Sequence, residues 1–416
     1  GLRNMYPTAA SDIIEALGKL VLGYGFAFIA MKISGDLAIS AAAAMLGITV
    51  GAGASALYLR LRFLIKGDGI TNDEIKATPP INSDRIAARS LILVAIPIVL
   101  ASLANSVASL VDVSMVKWQL THLVADKADY LREIYKVSID DYNASGISKE
   151  LLTNAEIPTF LYGIRSKAFT IYNLVPTITS VLGVSALPVI ASAWTVKDRK
   201  VIKRNVESTI KLPAIIAMPA GIGFFAIGNY IMSFLYSGVA SFQIGGSMMR
   251  IYGIAAIFAG LAIPMTSMLQ AIGKQVISLR NVAIGAALKV IVNFIFVGIP
   301  SVNIKGAAVG TAVCYVFIFV ANMLSLIKYT GVVPNMYKVL CKPFISAAAC
   351  GVAAYIIPAE KLVLSIRIQT ALRIIVAAIV YFALLIILNT FEDEDVISLP
   401  KGEKLLKIFK KFKIIR

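Results

Sequence analysis

Residues 38–59 read AISAAAAMLGITVGAGASALYL, an apolar run that contains no charged side chain. The hydrocarbon core of a bilayer is about 30 Å thick, and an α-helix of roughly 20 residues crosses it. Because the run has this length, it predicts a transmembrane helix. The same criterion predicts ten such helices along the chain, at 8–31, 38–59, 89–116, 158–192, 210–236, 247–271, 278–300, 304–328, 340–358 and 367–390.

The overall composition agrees with a chain that lies mostly in lipid. Hydrophobic residues make up 58% and charged residues 15% of the 416 residues, whereas soluble proteins carry about 25% charged residues. The net charge of +17 raises the question of nucleic acid binding, but the basic residues stand between apolar runs rather than along one soluble face. The sequence therefore predicts an all-α polytopic membrane protein with no nucleic acid partner.

Metal and cofactor chemistry has little support in the residue types. Cys314, Cys341 and Cys350 stand within or at the ends of apolar runs, and His122 is the single histidine. Zinc sites require several Cys or His ligands at short spacings. We expect the cysteines to be small packing residues, and we predict no metal, no cofactor and no disulfide framework.

Loop charges predict how the helices are oriented. Every second loop is basic, and Lys and Arg concentrate in cytoplasmic loops, so both ends of this chain are predicted to be cytoplasmic. Loop 118–157 carries more acidic than basic residues and is predicted to face outward as a short helical cap. The basic clusters are Arg60, Arg62, Lys66, Arg85 and Arg89; Lys197, Arg199, Lys200, Lys203 and Arg204; Lys274 and Arg280; and Lys328, Lys338 and Lys342.

Two segments, 197–207 and 401–416, are basic and amphipathic. Helices of this kind lie on the anionic inner leaflet of a membrane. Ordinary solvated basic loops have the same composition, so both interpretations stay open.

An internal repeat relates the first two predicted helices to the seventh and eighth. Residues 1–19 align without gaps with 271–289, and the helices that follow are rich in small residues, at 40–44 and 306–310. Small residues let membrane helices pack closely, and repeated lobes are common in transporters. A period of six helices makes the first predicted helix the fifth of its lobe, which predicts four further helices upstream.

Several motifs, taken in order, resemble the stage V sporulation protein B and MurJ-like branch of the MOP (multidrug/oligosaccharidyl-lipid/polysaccharide) exporter superfamily. The resemblance covers essentially the whole chain. It rests on GLRNMYPTA at 1–9 with Ile14, Glu15 and Lys19; AIPIVLASL at 95–103 with Leu110, Val111 and Asp112; Leu187 and Pro188; LQAIGK at 269–274; and NIKGAAVGT at 303–311.

The resemblance implies fourteen helices, arranged as two six-helix lobes around a central cavity plus two C-terminal helices. The ten predicted helices then correspond to the fifth to the fourteenth. Residues 1–66 end the N-terminal lobe, 67–88 form a cytoplasmic linker, 89–330 form the C-terminal lobe, and 331–416 hold the two extra helices and the basic tail. The implied cargo is an undecaprenyl-pyrophosphate-linked saccharide, lipid II in the best-known members, carried by alternating access across the bacterial cytoplasmic membrane.

Ionisable residues inside membrane helices are costly and therefore suggest function. Glu15 and Lys19 are four residues apart on one helix face, where they either line the cavity or fix helix packing. Arg165 and Lys167 lie near the outer start of the fourth predicted helix, where the resemblance implies a cavity cation. They either bind the pyrophosphate of the cargo or extend toward the membrane interface.

A further group combines Asp112, Lys289, Asn293 and Thr311. Counting along the helices places Asn293 and Thr311 at one depth, about 10 Å from the outer ends of their helices. In some members of the family, an acid on the helix of Asp112 binds sodium together with polar groups of partner helices. Lys289 departs from an all-oxygen site, because its ammonium can pair with Asp112 in place of a metal ion. A monovalent cation site, a salt bridge and a polar cluster all stay open.

The leading hypothesis is a flippase for a lipid-linked cell-wall or polysaccharide precursor, and not an enzyme. The nearest alternative is a cation-coupled multidrug antiporter of the same superfamily. Its cavity should be acidic, whereas few acids occur within the predicted helices, and Arg165 and Lys167 favour an anionic cargo. A membrane glycosyltransferase needs paired acids or a histidine on an outer loop, and loop 118–157 carries no recognisable motif of that kind. A scaffold that transports nothing is the remaining alternative.

Overall fold

The computed structural model describes residues 6–66, 110–144, 151–236, 238–357 and 365–390. Within these ranges, nine helices are long and apolar enough to cross a membrane. They correspond to nine of the ten predicted helices, and the predicted class, an all-α polytopic membrane protein, is confirmed. The linker 67–88, most of the third predicted helix and the tail 401–416 lie outside the described residues.

The described elements are helices joined by short connections. The helices are α1 (Tyr6–Ser34), α2 (Leu37–Lys66), α3 (110–134), α4 (Lys136–Ala144), α5 (Ile157–Val196), α6 (Arg199–Leu235), α7 (Gly246–Ala271), α8 (Gln275–Val297), α9 (Gly306–Thr330), α10 (Lys342–Ile356) and α11 (Ile366–Ile387). Single turns of 3₁₀ helix precede α5 and α9, at Asn154–Glu156 and Asn303–Lys305, and π-helical turns precede α7 and α10, at Ser241–Gly245 and Tyr337–Cys341.

The chain divides into two compact units, Gly1–Ser102 and Leu103–Arg416. In the first unit, α1 and α2 pack against each other as a hairpin. Glycines bring the two backbones into contact, since a Cβ on Gly18 would lie 2.8 Å from the Cα of Gly51. Helices α1 and α2 therefore contact each other through small residues, which allow membrane helices to pack closely.

Helix α7 lies at the centre of the second unit and packs against α5, α6 and α9. At its crossing with α6, a Cβ on Gly221 or on Gly253 would overlap the backbone of the other helix. The final helices, α10 and α11, pack on α6, whereas α8 packs mainly on α9. The pair α8–α9 is thus attached to α7 through α9, and it forms one wall of a cavity within the second unit.

Contacts between its loops define two ends of the second unit. At one end, the ammonium of Lys274 lies 4.8 Å from the ring centroid of Tyr329. At the same end, the backbone N–H of Asn335 donates to Glu207 Oε1 at 2.8 Å. We call this the basic end, because three of the predicted basic loops meet there. They are 197–204, 274–280 and 328–342.

The opposite end, which we call the cap end, carries α4. Helix α3 continues to residue 134, well past the predicted end of the third helix at 116. The hydroxyl of Tyr135 donates to Asn303 Oδ1 at 2.5 Å, and Asp141 Oδ2 accepts from the N–H of Val239 at 2.9 Å. Burial raises the pKa of Tyr135 to about 12, so its hydroxyl remains a donor at neutral pH. The described part of 118–157 is therefore a helical cap that is tied to two loops of the bundle.

Candidate functional site

A cavity of about 720 Å³ opens within the second unit, between α3, α5, α7, α8 and α9. This volume falls in the usual range of small-molecule sites, roughly 300–1,000 Å³. Most of the wall is apolar or aromatic, and the charged side chains in it are Asp112, Arg165 and Lys289. The aromatic part of the wall consists of Tyr162, Phe169, Tyr172 and Tyr315.

The charged part of the wall is centred on Asp112, which is only 8% exposed. Its Oδ2 accepts hydrogen bonds from Arg165 Nη2 at 2.9 Å and from Lys289 Nζ at 3.0 Å. Its Oδ1 accepts from Asn293 Nδ2 at 2.7 Å. These four residues, which we call the Asp112 cluster, join α3, α5 and α8 through hydrogen bonds that are strengthened by charge.

The local sequence explains how the helices place these side chains. Lys289 and Asn293 are four residues apart on α8 and therefore share a face. Arg165 lies one turn after Tyr162 on α5, and its Nη1 donates to the hydroxyl of Tyr162 at 3.0 Å. Gly310 of α9 leaves room for the Asn293 amide, because a Cβ at that position would overlap it.

The Asp112 cluster carries more positive than negative charge. Asp112 is the single carboxylate among the described residues that line the cavity, and two cations contact it. The side chain of Arg165 is 3% exposed, whereas that of Lys289 is 21% exposed and lines the cavity. An unbalanced cation in a water-poor site attracts an anion more strongly than the same cation does in water.

The structure brings together most of the polar group that the sequence suggested. Asp112, Lys289 and Asn293 bond directly, and Arg165 joins them, although the sequence had assigned it to a separate cargo site. Thr311 borders the same cavity, but its hydroxyl donates to the carbonyl of Ala307 at 2.9 Å. The functional roles of these residues stay predictions.

The other three suggested site residues have no hydrogen bond to Asp112 in the structure. Lys167 is exposed, and its ammonium lies 5.4 Å from the ring centroid of Tyr236 rather than in the cavity wall. Glu15 and Lys19 belong to the first unit, where they form a partly exposed ion pair on α1. Their contribution to cargo binding stays a prediction.

A second polar group, which sequence reasoning missed, joins α7, α8 and α9. Asn281 Nδ2 donates to Asn322 Oδ1 at 3.0 Å and to Ser325 Oγ at 3.3 Å. Asn322 Nδ2 donates to Thr266 Oγ1 at 2.9 Å, and Thr266 lines the cavity. We call these four residues the asparagine cluster. The sequence could have indicated this cluster, because Asn281 and Asn322 stand within apolar helices. A buried amide in such a helix needs a hydrogen-bond partner.

Two buried cations were also missed. Lys211 of α6 is buried, and so is Arg373 of α11. The guanidinium carbon of Arg373 lies 3.6 Å from the ring centroid of Tyr230, and its Nη2 donates to the carbonyl of Ile357 at 3.2 Å. Both stand inside predicted membrane helices. Because a charge there is costly, it suggests a functional or structural role, and the sequence alone could have identified both residues. The contacts of Arg373 indicate that it holds α11 against α6 and the end of α10.

The fold and this site define a class, namely a multi-pass helical membrane protein with a ligand-sized, positively charged cavity inside its second unit. Comparison with known proteins narrows that class. A solved structure of the lipid II flippase MurJ in an inward closed conformation has the same fold, with a TM-score of 0.51 and 13% sequence identity, over 93% of this chain and 68% of that chain. No family model matches the sequence.

Two membrane proteins of Bacillus subtilis (strain 168) are similar in sequence. The membrane protein YabM is 24% identical over 258 residues, which cover 60% of this chain and 47% of YabM. The lipid II flippase MurJ is 21% identical over 186 residues, which cover 44% of this chain and 33% of MurJ. The chain thus spans about half or less of the curated relatives that it matches. Together with the fold, these similarities confirm the resemblance to the MurJ-like branch of the MOP superfamily.

Proposed function

We propose that this protein is a flippase that moves an undecaprenyl-pyrophosphate-linked cell-wall or polysaccharide precursor, of the lipid II type, across the bacterial cytoplasmic membrane. It would do so by exchanging between two conformations that expose the cargo site in turn. One observation carries the proposal: the cavity of a MurJ-like fold holds two cations against one carboxylate. A pyrophosphate headgroup is an anion that such a cavity attracts.

The two cations would contribute in different ways. Arg165 is fixed by Asp112 and by the Tyr162 hydroxyl, so it supplies positive potential at a constant position. Lys289 is a point charge on a flexible stem and lines the cavity, so its ammonium can turn from Asp112 toward a phosphate oxygen. The aromatic wall offers apolar surface beside that charge for the sugar faces of the cargo. Glu15, Lys19 and Lys167 are proposed as cargo contacts at other stages of the cycle.

The cation-coupled multidrug antiporter is the second candidate. A cationic drug gains from a carboxylate that is free to pair with it. In this cavity, Asp112 is already paired with Arg165 and Lys289, and the excess charge repels a further cation. The charge balance therefore favours an anionic cargo.

The basic end of the bundle is proposed to face the cytoplasm and to contact anionic lipids of the inner leaflet. Residues 197–207 begin at the end of α5 and continue as the first turns of α6, which Asp198 caps by accepting from the N–H of Lys200 at 2.9 Å. Basic side chains near an anionic leaflet each gain about 1 kcal/mol. This attraction would orient the protein without any contact to the cargo.

Complementation of a strain that has been depleted of its own lipid II flippase tests the proposed function. The full gene for this protein, expressed at a matched level, is expected to restore growth. If the gene does not restore growth of this strain but gives a drug-sensitive strain resistance to cationic drugs, the antiporter is favoured instead.

A matched pair of variants tests the role of the cavity. Arg165→Gln removes the fixed cation but leaves Asp112 paired with Lys289, so the protein should still insert. Lys127→Gln removes an exposed cation of α3 at the cap end, outside the cavity wall. We expect only Arg165→Gln to lose complementation at equal membrane levels, and equal growth of both variants would contradict a cargo role for Arg165.

A further inference from the structure

The Asp112 cluster occupies the place where the resemblance implies that some relatives bind sodium. We propose that in this protein the ammonium of Lys289 is the resident cation of that site, and that the site does not bind sodium or another alkali ion. The cation that balances the charge of Asp112 while the helices change position is a property separate from the identity of the cargo.

The donors around Asp112 do not fit a metal ion. Alkali and alkaline-earth ions are held by oxygen ligands, whereas Asp112 is surrounded by nitrogen donors. Its Oδ2 accepts from Arg165 and Lys289, and its Oδ1 accepts from the amide nitrogen of Asn293. Both carboxylate oxygens are therefore engaged by N–H groups before any ion arrives.

The neighbouring oxygens do not complete a metal site either. Asn293 presents its nitrogen to Asp112, and its Oδ1 lies against Gly310 of α9. Thr311 borders the cavity, but its hydroxyl donates into its own helix, to Ala307. As long as the Lys289 ammonium contacts Oδ2, the oxygens that a metal ion would need are thus not gathered around Asp112 among the described residues.

Electrostatics points to the same conclusion. With Arg165 and Lys289 each in contact with Asp112, the cluster already has one positive charge in excess. A sodium ion entering this site would be repelled by two cations and attracted by one carboxylate that is already paired. An ammonium in salt-bridge contact with a carboxylate also needs no ion from solution, because it is covalently attached to α8.

The position of Lys289 gives this tethered cation a mechanical role. It bridges α8 to the Asp112 carboxylate of α3, as a bound metal ion would bridge two helices. Its side chain is partly exposed to the cavity, so an anionic group entering the cavity can draw the ammonium away from Asp112. Separation of α3 from α8 would then depend on the cargo rather than on the sodium concentration.

Thermal unfolding of the purified full-length protein in NaCl, KCl or choline chloride at equal ionic strength tests this inference. We expect the same melting temperature of the wild-type protein in the three salts. A saturable rise in sodium alone, absent from Asp112→Asn, would overturn the inference. The change in melting temperature reports ion binding, so the result does not depend on whether the proposed cargo is correct.

Two variants of the same residue sharpen the test. Lys289→Asn removes the ammonium and supplies an amide oxygen, so we expect its melting temperature to rise in sodium relative to choline. Lys289→Arg keeps a tethered cation and should remain insensitive to the salt. A folded Lys289→Asn that also remains insensitive would contradict the assignment of Lys289 as the resident cation. If neither variant folds, the comparison of the wild type in the three salts still decides.

Discussion

The carboxylate of Asp112 holds three helices together, because the partners that it accepts from stand on α5 and α8 while it stands on α3. A buried ion pair adds little net stability compared with a well-packed apolar core, but removal of one partner leaves an uncompensated buried charge. In the Asp112 cluster, removal of the Asp112 carboxylate would leave the cations of Arg165 and Lys289 close together without a counter-ion. Substitution of Asp112 should therefore have a large effect on stability.

We expect Asp112→Asn to lower the free energy of unfolding by about 3–5 kcal/mol, the usual cost of breaking a buried pair. Glu15→Gln breaks a pair that is partly exposed on α1 and should cost less than about 1 kcal/mol. Thermal unfolding in one detergent measures both variants. Similar melting temperatures of the two variants would show that the Asp112 cluster is not a buried ion network.

Sequence reasoning reached only part of this cluster. Counting residues along a helix gives the depth of a side chain, which placed Asn293 and Thr311 at one level. The family resemblance pointed to an acid on the helix of Asp112, so Asp112, Lys289, Asn293 and Thr311 could be grouped before the structure was known. The same counting does not give the direction in which α5 presents Arg165, and that direction depends on packing against α7. Arg165 was therefore assigned to the cargo, and its contact with Asp112 appeared only in the structure.

Among the helices, the crossing of α6 and α7 depends on the absence of side chains. We expect Gly221→Ala to cost about 1–3 kcal/mol, because its Cβ would overlap the carbonyl oxygen of Gly253. Gly223→Ala, two residues further along α6, meets nothing within 4 Å. It should be neutral or stabilising by up to about 1 kcal/mol, since Ala favours helix. Thermal unfolding compares the pair, and equal destabilisation would argue against a close α6–α7 contact.

One of the hydrogen bonds that tie the helical cap to the bundle joins elements that are far apart in sequence. Tyr135→Phe removes the donor to Asn303 Oδ1 and should cost about 0.5–1.5 kcal/mol. Tyr130→Phe changes a ring that is 42% exposed on the same segment and should have no measurable effect. Limited proteolysis of the segment 136–156 is expected to be faster only in Tyr135→Phe. Equal cleavage of both variants would mean that this bond does not hold the cap.

The extent of α3 shows where prediction of single elements ended too early. Hydropathy predicted an end at 116, because polar residues begin there. The backbone continues as a helix to 134, since an α-helix satisfies its own hydrogen bonds in water as well as in lipid. Apolar runs therefore indicate the part of a helix that lies in lipid, and they do not indicate where the helix ends.

For the molecule as a whole, the distribution of charge predicts orientation. In a Cys341→Ser background, which removes the exposed native thiol, a cysteine at exposed Lys127 reports on the cap end. One at exposed Lys200 reports on the basic end. We expect a membrane-impermeant maleimide to label Lys127→Cys in intact cells and Lys200→Cys only after lysis. The opposite result would reverse the proposed orientation.

The fold class could be predicted from sequence because length and hydropathy decide it in a bilayer. The nine membrane helices of the described residues were each found from their apolar runs. Packing could not be predicted in the same way, because lipid-facing and protein-facing apolar residues have the same hydropathy. The central position of α7 follows instead from glycines that permit contact, such as Gly221 and Gly253.

The tethered ammonium at Asp112 also has an evolutionary consequence. A lysine codon becomes an asparagine codon by change of one nucleotide. If the proposed assignment of Lys289 is correct, a lineage that carries this lysine would be one point mutation away from dependence on environmental sodium, and the reverse mutation would remove that dependence. Organisms that move between saline and sodium-poor habitats would then change the ionic requirement of the proposed transport without rebuilding the protein.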